Sequence, residues 1–106
     1  MKEIKYHKNV LIFFDELMDI LIEEGYFSFY EYSANYIEDL VNYVKDNITI
    51  KNHKPAPAYF SKYGSNMFYI TYNSNKRTTW YILFQKTNSL FFIRYITNNH
   101  VAGQYF

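Results

Sequence analysis

The sequence contains no cysteine and only three glycines, two prolines and one tryptophan among its 106 residues. Without cysteine the chain has neither a disulfide framework nor a thiolate metal site. With so few glycines it lacks the glycine-rich loop that cradles phosphates in nucleotide-binding proteins. Its three histidines, His7, His53 and His100, are far apart and show no metal-ligand spacing, so we expect no zinc site and no cofactor.

Long apolar segments are also missing. No apolar run is long enough to span a membrane, and the N-terminal residues lead into no signal-peptide pattern. We therefore expect a cytoplasmic protein without membrane association. A chain of this length can build one hydrophobic core but not two, which predicts a single domain over residues 1–106.

Carboxylate side chains are absent from the second half of the chain. All ten Asp and Glu residues lie between Glu3 and Asp46, where four lysines oppose them and leave a net charge of −6. From residue 51 onward there are seven cations and no acid: Lys51, Lys54, Lys62, Lys76, Arg77, Lys86 and Arg94. This segregation predicts a polyanion-binding surface. The alternative is that the two halves neutralise each other within one fold.

Aromatic residues are abundant, with thirteen tyrosines and ten phenylalanines. Large rings can fill the core and rim of a small domain, with tyrosine hydroxyls left in contact with water. Alternatively, some of the tyrosines provide surfaces on which nucleic-acid bases stack. Composition leaves both interpretations open.

The spacing of apolar residues changes along the chain from helical to alternating. A short strand at residues 2–6 is followed by helical spacing over about 10–24 and 29–46. After two prolines the pattern predicts strands over about 58–62, 66–72, 78–85 and 90–97. We predict an α+β fold: an N-terminal short strand and an α-helical hairpin packed on one face of a four- to five-stranded, mostly antiparallel sheet.

The last strand places Arg94 among apolar neighbours. Alternation predicts one face with Leu90, Phe92, Arg94 and Ile96, and the other with Phe91, Ile93, Tyr95 and Thr97. One face of the sheet must pack on the helices, and the other can be open. An arginine without a carboxylate is costly to bury, so we expect Arg94 on the open face or at the end of the sheet. The alternative is an ion pair with an acid of the helices.

The missing carboxylates also limit the chemistry of the basic half. They exclude paired-carboxylate and two-metal mechanisms there, which leaves metal-free chemistry on a phosphodiester, or binding without chemistry. Metal-free RNA cleavage needs a base, an acid and cations around the phosphate. His100 is the candidate for proton transfer, because histidine titrates near neutral pH. Candidate cations are Arg94, Arg77, Lys76 and Lys62, and Tyr95 is a candidate proton donor. Alternatively His100 has no role.

The segment Phe92-Ile93-Arg94-Tyr95-Ile96, followed closely by His100, is similar to the closing strand of the HigB-like toxins, although the histidine arrives about one residue later. The order of a short strand, a helical hairpin and an antiparallel meander resembles the wider RelE/ParE superfamily of toxin–antitoxin toxins. Members that cleave mRNA usually carry a denser basic patch than this chain does.

The resemblance implies a compact toxin neutralised by a small antitoxin protein, with cleavage of mRNA on the ribosome as its activity. It implies catalytic roles for His100 and Arg94 by motif and for Arg77 by placement on the sheet. The residues predicted to bind nucleic acid are Lys62, Lys76, Lys86, Trp80 and Tyr95. Alternatives are ParE-like, non-enzymatic inhibition of DNA gyrase, and a non-toxic RNA-binding or interaction domain. Phe91, Ile93 and residues 101–106 are candidate contacts for the antitoxin or for a homodimer.

Overall fold

The structure, a computed structural model, describes residues 3–23, 30–74 and 76–106, with side chains included except at positions 18, 20–23 and 30–34. The elements are β1 (Glu3–Tyr6), α1 (Lys8–Glu23), α2 (Tyr30–Asn47), β2 (Lys54–Pro55), a 3₁₀ helix (Ala58–Tyr63), β3 (Phe68–Asn73), β4 (Thr79–Lys86), β5 (Leu90–Asn98), α3 (Asn99–Ala102) and a 3₁₀ turn (Gly103–Tyr105). The predicted α+β class is confirmed. No helix within these ranges is long and apolar enough to cross a bilayer.

The five strands form one mixed sheet in the order β1-β5-β4-β3-β2. β3, β4 and β5 form the predicted antiparallel meander, because each follows its neighbour after a short turn. β2 also pairs antiparallel with β3, although the 3₁₀ helix lies between them in the chain. β1 instead lies parallel to β5, with Tyr6 opposite Ile93. The two helices intervene between β1 and the meander, so the first strand can run beside the last in the same direction.

One face of the sheet packs against α1 and α2. The buried residues of this core are Val10, Leu17, Leu40, Val44, Ile48, Ile70, Trp80, Ile82, Phe84, Phe91, Ile93 and Ile96. Within it, the Trp80 indole N–H donates to the Tyr36 hydroxyl at 2.8 Å, and that hydroxyl lies 2.7 Å from the Ser74 hydroxyl. A buried N–H needs an acceptor, so this bond fixes α2 against β4.

The opposite face of the sheet, the second face, is covered as well. Phe60, Met67, Leu83 and Ala102 form a second buried cluster there. The segment predicted as a strand at 58–62 is a 3₁₀ helix preceded by Pro57, whose carbonyl accepts from the Phe60 N–H at 3.0 Å. That bond turns the chain and buries the Phe60 ring. The expectation of an open second face is therefore wrong.

A β-bulge in β5 changes which residues share a face. Leu83 of β4 lies opposite Tyr95 and Phe84 lies opposite Ile93, so Arg94 is the extra residue between them. A bulge interrupts the alternation of side chains. Phe91, Ile93 and Ile96 therefore face the helices, whereas Tyr95 joins the second cluster. The expected grouping of Arg94 with Ile96 is wrong for this reason.

Phe91 and Ile93 were candidate contacts for a partner protein. They are 3% and 0% exposed and belong to the core beneath the helices. A partner cannot reach them in the folded chain, so that interpretation is wrong for these two residues.

Alkaline pH tests the packing of Tyr6, whose ring meets Phe14 edge-on at 5.8 Å. Burial raises the pKa of Tyr6 to about 12. A phenol whose pKa rises on folding stabilises the fold fully below pH 10.0, its ordinary value, and loses that effect as the pH approaches 12. We expect the free energy of unfolding to fall over this interval, and Tyr6→Phe to make that fall smaller.

Urea unfolding followed by the fluorescence of Trp80, the single tryptophan, measures this effect. Tyr59→Phe, at a residue 45% exposed, is the control: because the pKa of this phenol is lowered rather than raised, the fall should be at least as large as in the wild-type protein. An equal fall in the Tyr6→Phe variant would contradict the assignment.

The bond between Trp80 and Tyr36 gives a second test. Tyr36→Phe leaves the buried indole N–H without this acceptor, and we expect it to lower the free energy of unfolding by about 1–3 kcal/mol. The Trp80 emission should also shift, because its polar neighbour is lost. Equilibrium unfolding that matches the wild-type protein would show that water replaces the hydroxyl.

Candidate nucleic-acid interface

His100 lies in α3, at the end of β5. The side-chain oxygen of Asn98 caps this helix by accepting from the backbone N–H groups of His100 at 3.0 Å and Val101 at 3.2 Å. Asparagine is a favoured residue for this position. The imidazole Nε2 lies 3.1 Å from the Thr78 hydroxyl, and the side chain is exposed. The cap and the threonine together orient the imidazole while leaving it accessible.

Asn99 joins the β3–β4 turn to the same end of the sheet. Its side-chain oxygen accepts from the Thr79 N–H at 2.9 Å, and its amide donates to the Arg77 carbonyl at 3.0 Å. Lys76 and Arg77 are exposed on that turn. We call this surface, made by Lys76, Arg77, Thr78, Asn99 and His100, the His100 end. The sequence predictions missed Thr78 and Asn99, because the contact across the turn has no signal in sequence spacing.

Arg94 is not part of the His100 end. Its Nε donates to the Tyr63 carbonyl at 2.8 Å, and its guanidinium carbon lies 5.2 Å from the centre of the Phe92 ring. Phe92 precedes Arg94 on the strand and His100 follows it, so the guanidinium is directed away from the histidine. The strand from Arg94 to Asn98 spans about 13 Å. The structure therefore does not bring Arg94 and His100 together.

Arg94 instead borders a small cleft of about 110 Å³ between α1 and β5. The cleft is lined by Asn9, Val10, Phe13, Tyr63, Arg94, Tyr95 and Ile96. Among the described residues the partners of Arg94 are a carbonyl and a ring, not a carboxylate. The alternative of an ion pair with a helical acid is thus not found in the described chain. Because a guanidinium has five donors, it retains donors for an anion.

Lys86 lies at the other end of β4 from the His100 end. Its ammonium is 3.0 Å from His53 Nδ1 and 4.3 Å from the centre of the Phe68 ring. His53 Nε2 donates to the Ile48 carbonyl, which leaves Nδ1 to accept from the lysine. Binding of nucleic acid by Lys86 stays a prediction, and Lys86 does not share a surface with His100.

Trp80 does not provide a ring for nucleic acid. It is 2% exposed and lies in the core under the helices, so neither face of its ring can meet a base. The predicted role of Trp80 in binding is therefore wrong. The alternating pattern placed Trp80 on a strand but could not assign its face.

Tyr95 is half-buried and stacks on Tyr63, with ring centres 3.9 Å apart and planes 7° from parallel. Burial, and to a smaller extent the hydrogen bond with Tyr63, raises the pKa of Tyr95. Its phenol therefore stays protonated at neutral pH and can donate a hydrogen bond there, but it cannot act as a base.

Lys62 belongs to an aromatic surface on the second face. Its ammonium lies 4.4 Å from the centre of the Tyr59 ring. Tyr59 stacks on Tyr105 at 3.5 Å, and Phe106 stacks on Tyr81 at 3.7 Å. A hydrogen bond from Tyr105, and to a smaller extent one from Lys62, lowers the pKa of Tyr59. These four rings and Lys62 thus form one surface on the second face.

Among the described side chains, no three His, Cys, Asp or Glu residues are placed to hold a metal ion. Comparison with protein-family models, with curated proteins and with solved structures found no match to this chain. Function must therefore be inferred from the site itself.

Asn99→Ala tests how the His100 end is held together. The change removes two of the hydrogen bonds that join the β3–β4 turn to α3. We expect the free energy of unfolding to fall by about 1–2 kcal/mol and the amide of Thr79 to exchange faster with solvent. Asn88→Ala, at an exposed position in the β4–β5 turn, is the control. Unchanged exchange at Thr79 would show that the turn does not depend on Asn99.

Proposed function

We propose that this chain is the toxin of a toxin–antitoxin pair and that it cleaves mRNA on the ribosome without a metal ion. The observation that carries the proposal is the His100 end, where an exposed imidazole lies beside a turn with two cations. This surface lies in the half of the chain that has no carboxylate. Cations there attract phosphate groups, and an imidazole transfers protons at neutral pH.

The order of the elements supports the resemblance to the RelE/ParE superfamily. A short strand, two helices and an antiparallel meander with Arg94 in its last strand are the arrangement that this resemblance implies. A shared architecture alone does not identify an activity. The activity rests on the side chains of the His100 end.

In the proposed reaction, His100 takes the proton of an RNA 2′-hydroxyl. Nε2 is engaged by Thr78, and Nδ1 has no hydrogen-bond partner among the described residues, so Nδ1 is placed for this step. The 2′-oxygen attacks the adjacent phosphorus, the bond to the 5′-oxygen breaks, and a 2′,3′-cyclic phosphate forms. Lys76 and Arg77 stabilise the charge on the phosphate, and the protonated imidazole or water protonates the 5′-oxygen.

The position of Arg94 favours a second candidate function. A phosphate clamp should lie beside the proton-transfer group, but the Arg94 guanidinium lies over Phe92 and is directed away from His100. A toxin without a phosphate clamp beside its histidine would bind its target without cleaving RNA, like the ParE toxins, which inhibit DNA gyrase. In both cases we propose a cognate antitoxin as the partner.

Expression of His100→Ala in a bacterial host tests the proposed reaction. We expect the wild-type chain to stop growth and to cut transcripts at codon boundaries, and the variant to lose cleavage by about 10²–10⁴-fold. Primer extension on reporter transcripts measures the cleavage. Val101→Ala is the matched control, because Val101 is the next residue of the same helix and is 70% exposed.

The other outcomes would change either the role of His100 or the function. Cleavage retained in His100→Ala would remove His100 from the mechanism. Growth arrest with intact transcripts and blocked supercoiling by gyrase would establish the second candidate. Salt-dependent RNA binding without growth arrest would identify a non-toxic RNA-binding domain.

A further inference from the structure

The last residues of the chain fold back onto the second face of the sheet through their rings. Tyr105 stacks on Tyr59 with planes 7° from parallel, and Phe106 stacks on Tyr81 with planes 9° from parallel. Phe60 lies between the two stacks, 4.9 Å from Phe106 and 6.0 Å from Tyr105 between ring centres. Two consecutive residues therefore cover two rings of one continuous surface.

This geometry is also that of nucleic-acid bases on a protein. Single-stranded RNA binds to aromatic side chains by stacking successive bases on them, beside cations that contact the phosphates. Tyr59 and Tyr81 receive two successive rings in this way, and Lys62 lies 4.4 Å from the Tyr59 ring. Each of the two tail rings thus lies on a protein ring in a near-parallel stack.

The last residues of the tail are held on the sheet mainly by their side chains. α3 is fixed by Asn98 and Asn99, and Ala102 is buried at 4% exposure. Gly103 is tied to α3, because its N–H donates to the Asn99 carbonyl. At the end of the tail, the Phe106 N–H donates to the Gly103 carbonyl at 3.3 Å, within the tail itself. Ring stacking and a phenol–phenol hydrogen bond hold this end on the sheet. It can therefore leave while α3 and His100 stay in place.

We propose that Tyr59 and Tyr81 form a stacking platform for two unpaired bases of RNA, and that Tyr105 and Phe106 occupy this platform in the free protein. The inference rests on the proposed action on RNA and adds where the bases lie and what limits their access. Tyr81 is two residues from Thr79, about 7 Å along β4. The Thr79 N–H donates a hydrogen bond to the side-chain oxygen of Asn99, which belongs to the His100 end. RNA stacked on the platform thus passes close to His100.

RNA is favoured over an acidic peptide as the occupant. Flat ring faces in near-parallel stacks are matched by bases, whereas acidic side chains offer no ring. The basic half of the chain also has no carboxylate to repel phosphates near Lys62. The experiment therefore includes a probe with phosphates but no bases.

Binding of a fluorescein-labelled eight-nucleotide uridine RNA, followed by anisotropy, tests the proposal. Deletion of Tyr105 and Phe106 should tighten binding by about three- to thirtyfold, because the platform no longer has an internal competitor. Phe106→Leu keeps apolar volume without a ring and should act in the same direction. Adding Tyr81→Ala to the deletion should weaken binding by about tenfold or more. Val101→Ala, at an exposed residue of α3 just before the tail, should leave affinity unchanged.

Two further measurements separate stacking from charge attraction. An abasic oligomer of the same length should not bind more tightly to the deletion variant. Lys62→Gln should lower the slope of log affinity against log salt by about 0.7, the loss expected for one phosphate contact on a single strand. A gain with the abasic oligomer equal to that with uridine RNA would overturn the platform.

The outcomes also distinguish this inference from the proposed function. Melting temperatures show which variants fold, and Phe106→Leu serves if the deletion variant does not. RNA binding that depends on Lys76 and Arg77 but is unchanged by folded tail variants would reject the platform and leave the proposed function standing. If neither the wild-type chain nor any variant binds RNA, the proposed function itself fails.

Discussion

The burial of β4 on both of its faces is the constraint on which the rest of the structure depends. Ile82, Leu83 and Phe84 are consecutive and each is 0% exposed. Side chains alternate along a strand, so these three residues require a cover on each side of the sheet. The helices provide one cover. The 3₁₀ helix and α3 provide the other through Phe60 and Ala102, and the rings of Tyr105 and Phe106 pack against that cluster from outside.

The two covers differ in charge, and this difference connects the fold to the proposed function. Exposed acids such as Asp15, Glu38 and Asp46 lie on the helices. The second cover consists of rings with Lys62 at their edge, and Arg94 binds beneath it. Lys62 and Arg94 thus lie on the side of the sheet opposite these acids, whereas Lys86 packs on Phe68 at the helix-side core. Under the proposed function, we expect the exposed acids to repel an RNA from the helices and the cations near the His100 end to attract it.

Local patterns predicted the elements more successfully than their contacts. The apolar alternation around Trp80 predicted β4 correctly, because residues that alternate between two buried surfaces repeat every two positions. The same pattern could not assign Trp80 to a face, since both faces of β4 are apolar. The pairing of β1 with β5 joins Tyr6 to Ile93 and depends on the path of the whole chain. Asn99 and Thr78 were missed for the same reason.

The bulge at Arg94 shows how a single extra residue changes a functional prediction. Regular alternation would direct Arg94 and Tyr95 to opposite faces, but the bulge lets Tyr95 stack on Tyr63 while Arg94 binds the carbonyl of the same residue. That carbonyl ends the 3₁₀ helix, where acceptors lack partners within the helix.

Gly64 follows directly, and a Cβ there would lie 3.4 Å from the Arg94 Nε and 3.1 Å from the Gln85 amide nitrogen. A side chain at this position would therefore crowd Gln85, whereas Arg94 would stay at an ordinary contact distance. In this conformation, therefore, the arginine joins the second cover to the last strand. The proposed proton transfer and phosphate binding at the His100 end instead use residues that the β3–β4 turn brings to it.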